Sequence, residues 1–250
     1  MPVKISIITA TYNSASTVID AIESVNNQTY ENIEHIIIDG GSKDDTVNVV
    51  KRIGKRVTTI ISEPDKGIYD ALNKGINAAT GDVIGFMHSD DIFYDNQVIE
   101  KISDVFTENN VDSVYGDLEY VQKDDTDKVV RKWVSGNFKL DKVKSGWMPP
   151  HPSFYMKREN YNKLGGFNLE YSIAADYDSI LRYLFKYQVS TAYIPEVLVK
   201  MRVGGASNRS IANIIQKSKE DRLALKSNNI PWVNALLMKN LTKIPQFFKK

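Results

Sequence analysis

The feature that most restricts this chain is an order of parts repeated across residues 3–91. A short β-branched run ends in a polar cluster, an amphipathic stretch follows, and the order begins again. Residues 3–10 alternate around Ile5, Ile7 and Ile8 and predict a strand. Thr11-Tyr12-Asn13 follows as a loop, and Ser14 or Ser16 can cap a helix with Val18, Ile22 and Val25 on its apolar face. Residues 33–38 are mostly apolar, with isoleucine at four of six positions, as in a strand buried on both faces, and end at Asp39-Gly40-Gly41-Ser42. Asp44, Asp45 and Thr46 open a helix carrying Val47, Val50 and Ile53. Residues 57–62 predict a third strand ending at Glu63-Pro64-Asp65-Lys66-Gly67, residues 69–79 a helix, and residues 83–87 a fourth strand ending at His88-Ser89-Asp90-Asp91.

Such alternation implies a parallel α/β sheet with right-handed crossovers. Ligands of these sheets sit outside the carboxyl ends of the strands, so the four polar clusters should face one crevice. The alternation weakens after residues 114–117. Residues 119–121 and 129–132 flank an acidic turn at 123–127 and predict a hairpin. Residues 149–152 (Pro-Pro-His-Pro) predict a rigid extended stretch and residues 164–167 a turn. Residues 176–187 predict a helix with Ile180, Leu184 and Tyr187 on one face, residues 197–201 a short strand, and residues 210–225 a helix. One domain over residues 1–225 with a tail over 226–250 is expected.

Composition narrows the chemistry. The 250 residues contain no cysteine, which excludes a disulfide scaffold, a thiolate metal site and a cysteine nucleophile. Residues 1–125 hold 10 Lys and Arg against 22 Asp and Glu, and residues 126–250 hold 22 against 9. The acidic first half is a poor nucleic-acid surface, because phosphate binding needs basic density. No basic leader precedes an apolar region at the start, and no apolar run approaches the ~20 residues of a membrane span. A cytoplasmic protein is expected. Neither G-x-x-x-x-G-K-[ST] nor a G-x-G-x-x-G after the first strand occurs, which speaks against kinase-like phosphate loops and dinucleotide oxidoreductases.

What remains is a crevice rich in carboxylates. Asp90 and Asp91 end a buried strand, with Asp39 and Asp65 across the same crevice. One such aspartate is explained by helix capping. This many point to a divalent cation with an anionic ligand. Oxygen ligands suit Mg²⁺ or Mn²⁺, and Mg²⁺ commonly takes one or two protein carboxylates together with substrate phosphates.

The motifs in order are Ser6-Ile7-Ile8-Thr9-Ala10-Thr11-Tyr12-Asn13, Ile38-Asp39-Gly40-Gly41-Ser42 with Asp44-Asp45-Thr46, and DKGIYDALNKG over residues 65–75. Gly81-Asp82, Ser89-Asp90-Asp91, His151-Pro152-Ser153, Gly165-Gly166-Phe167 and Ala175-Asp176-Tyr177-Asp178 follow. Their order and spacing resemble the family 2 glycosyltransferases over residues 1–210. The resemblance implies a GT-A-like α/β fold, with a mostly parallel central sheet flanked by helices. It also implies inverting transfer of a hexosyl or N-acetylhexosaminyl unit from a nucleotide-sugar, usually UDP-linked. The acceptor would be a hydroxyl of a growing, lipid-linked or free, polysaccharide or oligosaccharide.

The resemblance further implies roles. Tyr12 would lie near the nucleobase beside Thr9 and Asn13, or pack as a loop aromatic on the first helix. Asp39 would hydrogen-bond the base, with an Asx turn ahead of two glycines as the alternative. Asp65 would touch the nucleoside or donor sugar, while Lys66 is taken as a solvated charge. Ser89-Asp90-Asp91 occupies the family's Asp-x-Asp metal motif, with His88 in place of the first acid. Asp90 is the first choice for Mn²⁺ or Mg²⁺, Asp91 the second, and His88 is favoured as a supporting donor over a ligand. Asp176 fits the position of the base that takes the acceptor proton, and Asp178 should point elsewhere. His151 would contact the donor phosphates or the acceptor, or make a structural hydrogen bond. Arg202 would neutralise a phosphate or be a surface charge.

Two other function classes suit the sequence less well. A sugar-nucleotide nucleotidyltransferase wants a Gly-rich basic loop after the first strand, and residues 9–14 contain neither Gly nor Lys nor Arg. A catalytically inert glycan-binding module has no need to keep Asp39, Asp90 and Asp176 together. The basic tail is expected as an amphipathic helix at the membrane surface through residues 231–250, on the cytoplasmic face, or else packed on the domain or used as an oligomer contact.

Overall fold

The computed structural model describes residues 2–204 and 211–241. Strands β1 (Ile5–Thr11), β2 (Ile33–Asp39), β3 (Val57–Ser62) and β4 (Val83–Phe86) lie where the β-branched runs predict them. They pair in parallel in the order β3-β2-β1-β4, with Ile5 opposite Ile33 on one side and Val83 on the other. Helices α1 (Val18–Asn26), α2 (Thr46–Ile53) and α3 (Ile68–Ala78) supply the connections that parallel strands require. Alternation along β1 feeds two cores. Ile5 and Ile7 join Val25 and Ile102 on one face, and Ile8 and Ala10 join Leu72 and Ile76 on the other. On α2, Val49 and Val50 are buried, whereas Val47 is only half-buried.

Beyond β4 the pattern changes. Strand β8 (Phe154–Lys157) enters antiparallel beside β4, followed by β6 (Ser113–Val121), β9 (Thr191–Arg202) and the two-residue β5 (Ile92–Phe93). Strand β7 (Val129–Trp133) closes the expected hairpin on β6. Parallel pairing is thus confined to β1–β4 and to β6 with β9, in a mixed sheet. Helix α4 (Val98–Glu108) follows β5 and buries Val98, Ile99, Ile102 and Phe106, a helical spacing present in the sequence. Residues 149–152 are not simply extended. His151–Ser153 form one 3₁₀ turn closed by Ser153 N–H to the Pro150 carbonyl at 3.1 Å. Helices α5 (Leu140–Lys144) and α6 (Arg158–Leu164) are short. The helix expected over 176–187 is α7 (Ala175–Leu181), widening into a π-turn over Arg182–Lys186.

The expected boundary after residue 225 has no structural counterpart. Helix α8 (Ile211–Ser227) runs across it, and α9 (Trp232–Leu241) folds back onto the domain. Ala224, Leu225, Ile230 and Ala235 belong to the same core as Ile8 and Phe86. Gly146, with φ +81°, lets α9 approach, because a Cβ there would run into the Ala235 carbonyl. The Lys239 ammonium pairs with Asp221 at 2.9 Å and sits 3.2 Å above the Tyr177 ring centroid. No helix of the described residues is long and apolar enough to cross a membrane. The tail residues 242–250, with Lys243, Ile244, Phe247, Phe248, Lys249 and Lys250, lie outside the described residues.

Candidate active site

The carboxyl ends of β1, β2, β3 and β4 open on one crevice of about 1260 Å³. Each of the four polar clusters contributes to its wall, as the alternation predicts. Tyr12 stands 62% exposed, so most of its ring is open rather than packed on α1. Asn13 adopts φ 48°; its Oδ1 accepts the Lys43 N–H and its own N–H donates to Ser42 Oγ, both at 2.8 Å, tying the first loop to the second. Asp65 Oδ1 accepts the Gly67 N–H at 2.8 Å. Its other oxygen lies against Gly40, where a Cβ would stand 2.5 Å away, so a side chain at position 40 would push the Asp65 carboxylate aside.

Two expected residues lie behind this wall. Thr9 has no exposed surface, and its hydroxyl meets the His35 Nε2 at 3.0 Å inside the sheet. It does not line the crevice, although Ala10 and Thr11 further along the same strand do. Asp39 is equally buried. Its carboxylate accepts the hydroxyls of Thr11 (3.1 Å), Ser62 (2.7 Å) and Ser42, and the N–H groups of Gly41 (3.1 Å) and Ser42 (3.0 Å). This is the Asx turn, extended by three hydroxyls. Burial alone would raise its pKa; the donors from Ser42, Ser62 and Thr11 outweigh it and hold the carboxyl below its ordinary range. A nucleobase contact would require one of those hydroxyls to yield.

At the end of β4, Ser89 Oγ donates to Ser14 Oγ at 3.1 Å. The half-buried Asp90 carboxylate accepts no hydrogen bond from the described residues, while its backbone carbonyl accepts Arg202 Nη1–H at 2.8 Å. Asp91 is 1% exposed; Oδ1 accepts the Arg202 backbone N–H at 3.2 Å, and Oδ2 is buried without a partner. Burial, then the Asp90 charge, push the Asp91 carboxyl well above the usual range. Arg202 is an internal brace, not a surface charge. Its Nε donates to the Lys123 carbonyl at 3.0 Å and Nη2 pairs with Asp20. His88 Nδ1 is also buried without a partner. Burial lowers the His88 pKa, against the raising pull of Asp90 and Asp176.

These residues fit a divalent cation. A buried carboxylate oxygen without a donor, beside a second unengaged carboxylate, is a costly arrangement that such a cation would satisfy. Among the described residues no group of three or more His, Cys, Asp or Glu is gathered for a metal.

A second cavity of about 840 Å³ adjoins the first and shares His88, Met201 and Val203 with it. Asp176, in the first turn of α7, and His151 line this cavity. Tyr69 Oη donates to Asp176 Oδ1 at 3.2 Å and to the Ile173 carbonyl at 2.7 Å. Behind it, Glu220 of α8 accepts the N–H groups of Ser172 (3.0 Å), Ile173 (2.7 Å) and Ala174 (2.9 Å), fixing the entry to α7. Asp178 does point elsewhere, accepting Ser227 Oγ at 3.1 Å and Asn228 Nδ2 at 3.0 Å. The His151 ring stacks on Phe86 at 5.1 Å and faces His88 at 5.9 Å, with Nε2 buried and unpartnered. Burial lowers its pKa to about 4, so it is neutral near pH 7. Sequence reasoning missed Tyr69 and Glu220 as supports of Asp176. Tyr69 sits within the DKGIYDALNKG motif, but its partner lies 107 positions away.

Residues 6–169 match the family described as glycosyl transferase family 2. A PGL/p-HBAD biosynthesis glycosyltransferase of Mycobacterium bovis is 29% identical over 213 residues, covering 81% of this chain and 78% of the relative. An uncharacterized glycosyltransferase of Mycobacterium tuberculosis is 32% identical over 186 residues, covering 71% and 68%. Among solved structures, S. aureus TarS superposes with TM-score 0.68 at 16% identity, covering 90% of this chain and 39% of that longer one. Its 1–349 fragment in complex with UDP-GlcNAc gives 0.69 at 14%, covering 99% and 73%. The mannosyltransferase PcManGT of Pyrobaculum calidifontis, in complex with GDP-Man and Mn²⁺, gives 0.69 at 17%, covering 99% and 74%. These likenesses carry the GT-A type fold, and the match over most of the chain carries the family: the protein is a glycosyltransferase belonging to glycosyl transferase family 2.

Proposed function

We propose that this glycosyltransferase moves one hexosyl or N-acetylhexosaminyl unit from a UDP-linked sugar to a hydroxyl of a growing glycan, with inversion. The carrying observation is the pair of cavities meeting at His88, Met201 and Val203, with Asp176 on the wall of the second. The donor takes the crevice at the ends of β1–β4, its nucleoside beside Tyr12, Asn13 and Asp65. The acceptor takes the second cavity. The acceptor oxygen forms the new bond to the anomeric carbon as the bond to the diphosphate breaks, and UDP departs with that electron pair. Asp176 receives the acceptor proton, a role its hydrogen bond from Tyr69 supports by holding one oxygen and leaving the other free. Asp90 and Asp91 would hold Mn²⁺ or Mg²⁺, with His88 alongside. That cation, when bound, supplies positive charge to the departing diphosphate. His151, neutral and unpartnered at Nε2, supports a contact with donor phosphate or acceptor.

The test is thermal unfolding with nucleotide. UDP with Mn²⁺ at ~100 times its dissociation constant should add about 2.7 kcal/mol, and UDP alone less. No shift with UDP and a large one with GDP would overturn the nucleotide assignment. Slow hydrolysis of the nucleotide-sugar without acceptor separates this enzyme from an inert glycan-binding module.

One observation supports a peripheral membrane contact. Val233, Leu237 and Leu241, one helical turn apart along α9, are 55%, 60% and 55% exposed. Arg222 and Lys226 flank Trp232 at the start of that helix, a basic and apolar mixture suited to anionic lipid. The full chain should pellet with anionic vesicles more than with neutral ones, and L237N/L241N should pellet less. Equal pelleting of both proteins overturns this contact.

A further inference from the structure

We infer that Arg202 is a positioning residue for the cation site, and that Asp20, outside the crevice, keeps the Arg202 guanidinium off the crevice carboxylates. This rests on the reading of Asp90 and Asp91 as cation ligands, and deepens it to the residues that hold those ligands open.

Arg202 is the last residue of β9 and is 8% exposed. Each of its three guanidinium nitrogens has an acceptor within the protein. Nε donates to the Lys123 carbonyl at 3.0 Å, Nη1 donates to the Asp90 carbonyl at 2.8 Å, and Nη2 pairs with the Asp20 carboxylate. The Arg202 backbone N–H donates to Asp91 Oδ1 at 3.2 Å. The end of β9 is itself fixed to β6, where the Val203 N–H reaches the Val121 carbonyl at 3.0 Å. One side chain therefore ties three places to that end: the turn of the β6–β7 hairpin, the Asp90–Asp91 corner beyond β4, and the first turn of α1, 182 positions away in sequence. A diphosphate would have to displace one of these acceptors to bind the guanidinium.

The choice of partners is selective. A guanidinium beside carboxylates ordinarily takes one of them in a two-pronged bond, because its planar fork matches two oxygens. The Arg202 charge is close enough to act on Asp91, where it opposes the upward push of burial on that carboxyl. Yet among the described residues the guanidinium makes its ion pair with Asp20, whose side chain is 50% exposed and does not line the crevice. It meets the corner only through the Asp90 carbonyl. The corner is thus held by its backbone, and Asp91 Oδ2 stays buried without a partner. With Asp20 removed, the guanidinium is left to the crevice carboxylates, and an oxygen that pairs with it is lost to a cation.

The experiment titrates UDP calorimetrically into the full chain, first in EDTA and then over a series of Mn²⁺ concentrations. The proteins are the wild type, Asp20→Ala, Arg202→Lys and the double variant. Mn²⁺ should strengthen UDP binding by the wild type. Asp20→Ala should raise severalfold the Mn²⁺ concentration that gives half of that gain. Its UDP affinity in EDTA and its melting should stay as in the wild type, since a half-exposed pair contributes little to the fold. An ammonium cannot serve three acceptors in one plane, so Arg202→Lys should raise the Mn²⁺ requirement about tenfold or more, the usual effect of removing a support behind a metal ligand. The double variant should match Arg202→Lys, because Asp20 acts through Arg202. Should Arg202→Lys fail to fold, Asp20→Ala alone decides. The inference is overturned if Asp20→Ala needs no more Mn²⁺ than the wild type, or if the two losses add in full. It is also overturned if Arg202→Lys weakens UDP binding as much in EDTA as with Mn²⁺, which would make Arg202 a phosphate contact or a general strut. Failure of the cation reading looks different: Mn²⁺ would not strengthen UDP binding even in the wild type, and both readings would fall together.

Discussion

The two cavities of this protein are built in different ways. The crevice proposed for the donor is local in sequence. Its four polar clusters leave the ends of four adjacent strands, and parallel pairing brings them together without further arrangement. The cavity proposed for the acceptor is assembled, apart from His88, from the β6–β7 hairpin, a 3₁₀ turn, the end of β9 and helices α5, α7, α8 and α9, spread over residues 118–239. Asp39, at the end of β2, is fully satisfied by its neighbours, whereas Asp91 beyond β4 and His88 and His151, where the cavities meet, keep buried atoms without partners. The difference teaches where the wall is finished and where it is not. The second strand ends in a closed hydrogen-bond network, and the unspent hydrogen-bonding capacity lies beyond β4 and at the junction of the two cavities.

The largest expected effect separates the two sides by function. Asp176→Asn should lower acceptor-dependent transfer by ~10²–10⁴, the usual range for loss of a general base, with UDP–Mn²⁺ binding nearly intact. Asp90→Asn should lose both. Calorimetric titration followed by a transfer assay checks this, and unchanged melting confirms that both variants fold. Near-normal transfer by a folded Asp176→Asn would remove Asp176 from the role of base.

Next comes the packing that closes the acceptor side. Asp221→Asn leaves the buried Lys239 ammonium without its counterion, and breaking such a pair costs about 3 kcal/mol or more. Chemical denaturation should show that loss, and adding Lys239→Met should recover most of it. UDP binding should change little in either protein. A matching loss of UDP affinity would mean the two sides are coupled through the sheet.

Acid should weaken both sides. Burial lowers the pKa of His35, beneath the donor strands, to about 3 and that of His151 to about 4. Both are neutral in the fold, while the unfolded chain takes up protons below about pH 6.5. Their contribution is therefore complete above that pH and is lost as the pH falls toward 4 and then 3. Between pH 6 and pH 5 stability should drop by about 1 kcal/mol per buried histidine. His35→Gln should flatten the slope measured by denaturation across that interval, and an unchanged slope would contradict it.

The smallest effect sharpens the assignment of Asp176. Tyr69→Phe removes the donor to Asp176 Oδ1 and to the Ile173 carbonyl, worth about 1 kcal/mol in a typical case. Transfer should fall severalfold with no change in UDP binding. A loss of UDP binding in its place would show that Tyr69 serves the donor side.

Much of the frame was legible before any coordinates. Ile33 to Ile38 reads as a strand buried on both faces from its four isoleucines, and the structure buries both faces, Glu34 and His35 included. The Asx alternative for Asp39 was legible too, since Asp-Gly-Gly-Ser is turn chemistry written in adjacent residues. What was not legible was how many donors would converge on Asp39, because Thr11 and Ser62 come from neighbouring strands. Thr9, expected beside the nucleobase, lies inside β1, two residues short of its end, and is buried. Position within β1, not residue type, decided that its hydroxyl faces His35. The tail carried three readings that composition could not separate, at the membrane surface, on the domain or in an oligomer contact, and Gly146, Tyr177 and Asp221 show that its first helix docks on the domain.

The sequence by itself determined the parallel half, the crevice at its strand ends, the carboxylates there and the family, because all of these depend on periodicity and on motifs a few residues long. Only the tertiary structure decided that β8 joins β4 antiparallel, that Tyr69 reaches Asp176 across 107 positions, and that Glu220 fixes the entry to α7 by binding Ser172, Ile173 and Ala174 from 48, 47 and 46 positions away. A local pattern specifies which face of a strand or helix is apolar. It does not specify which distant face will cover it, since that choice is made by the fit of whole surfaces once the chain has collapsed.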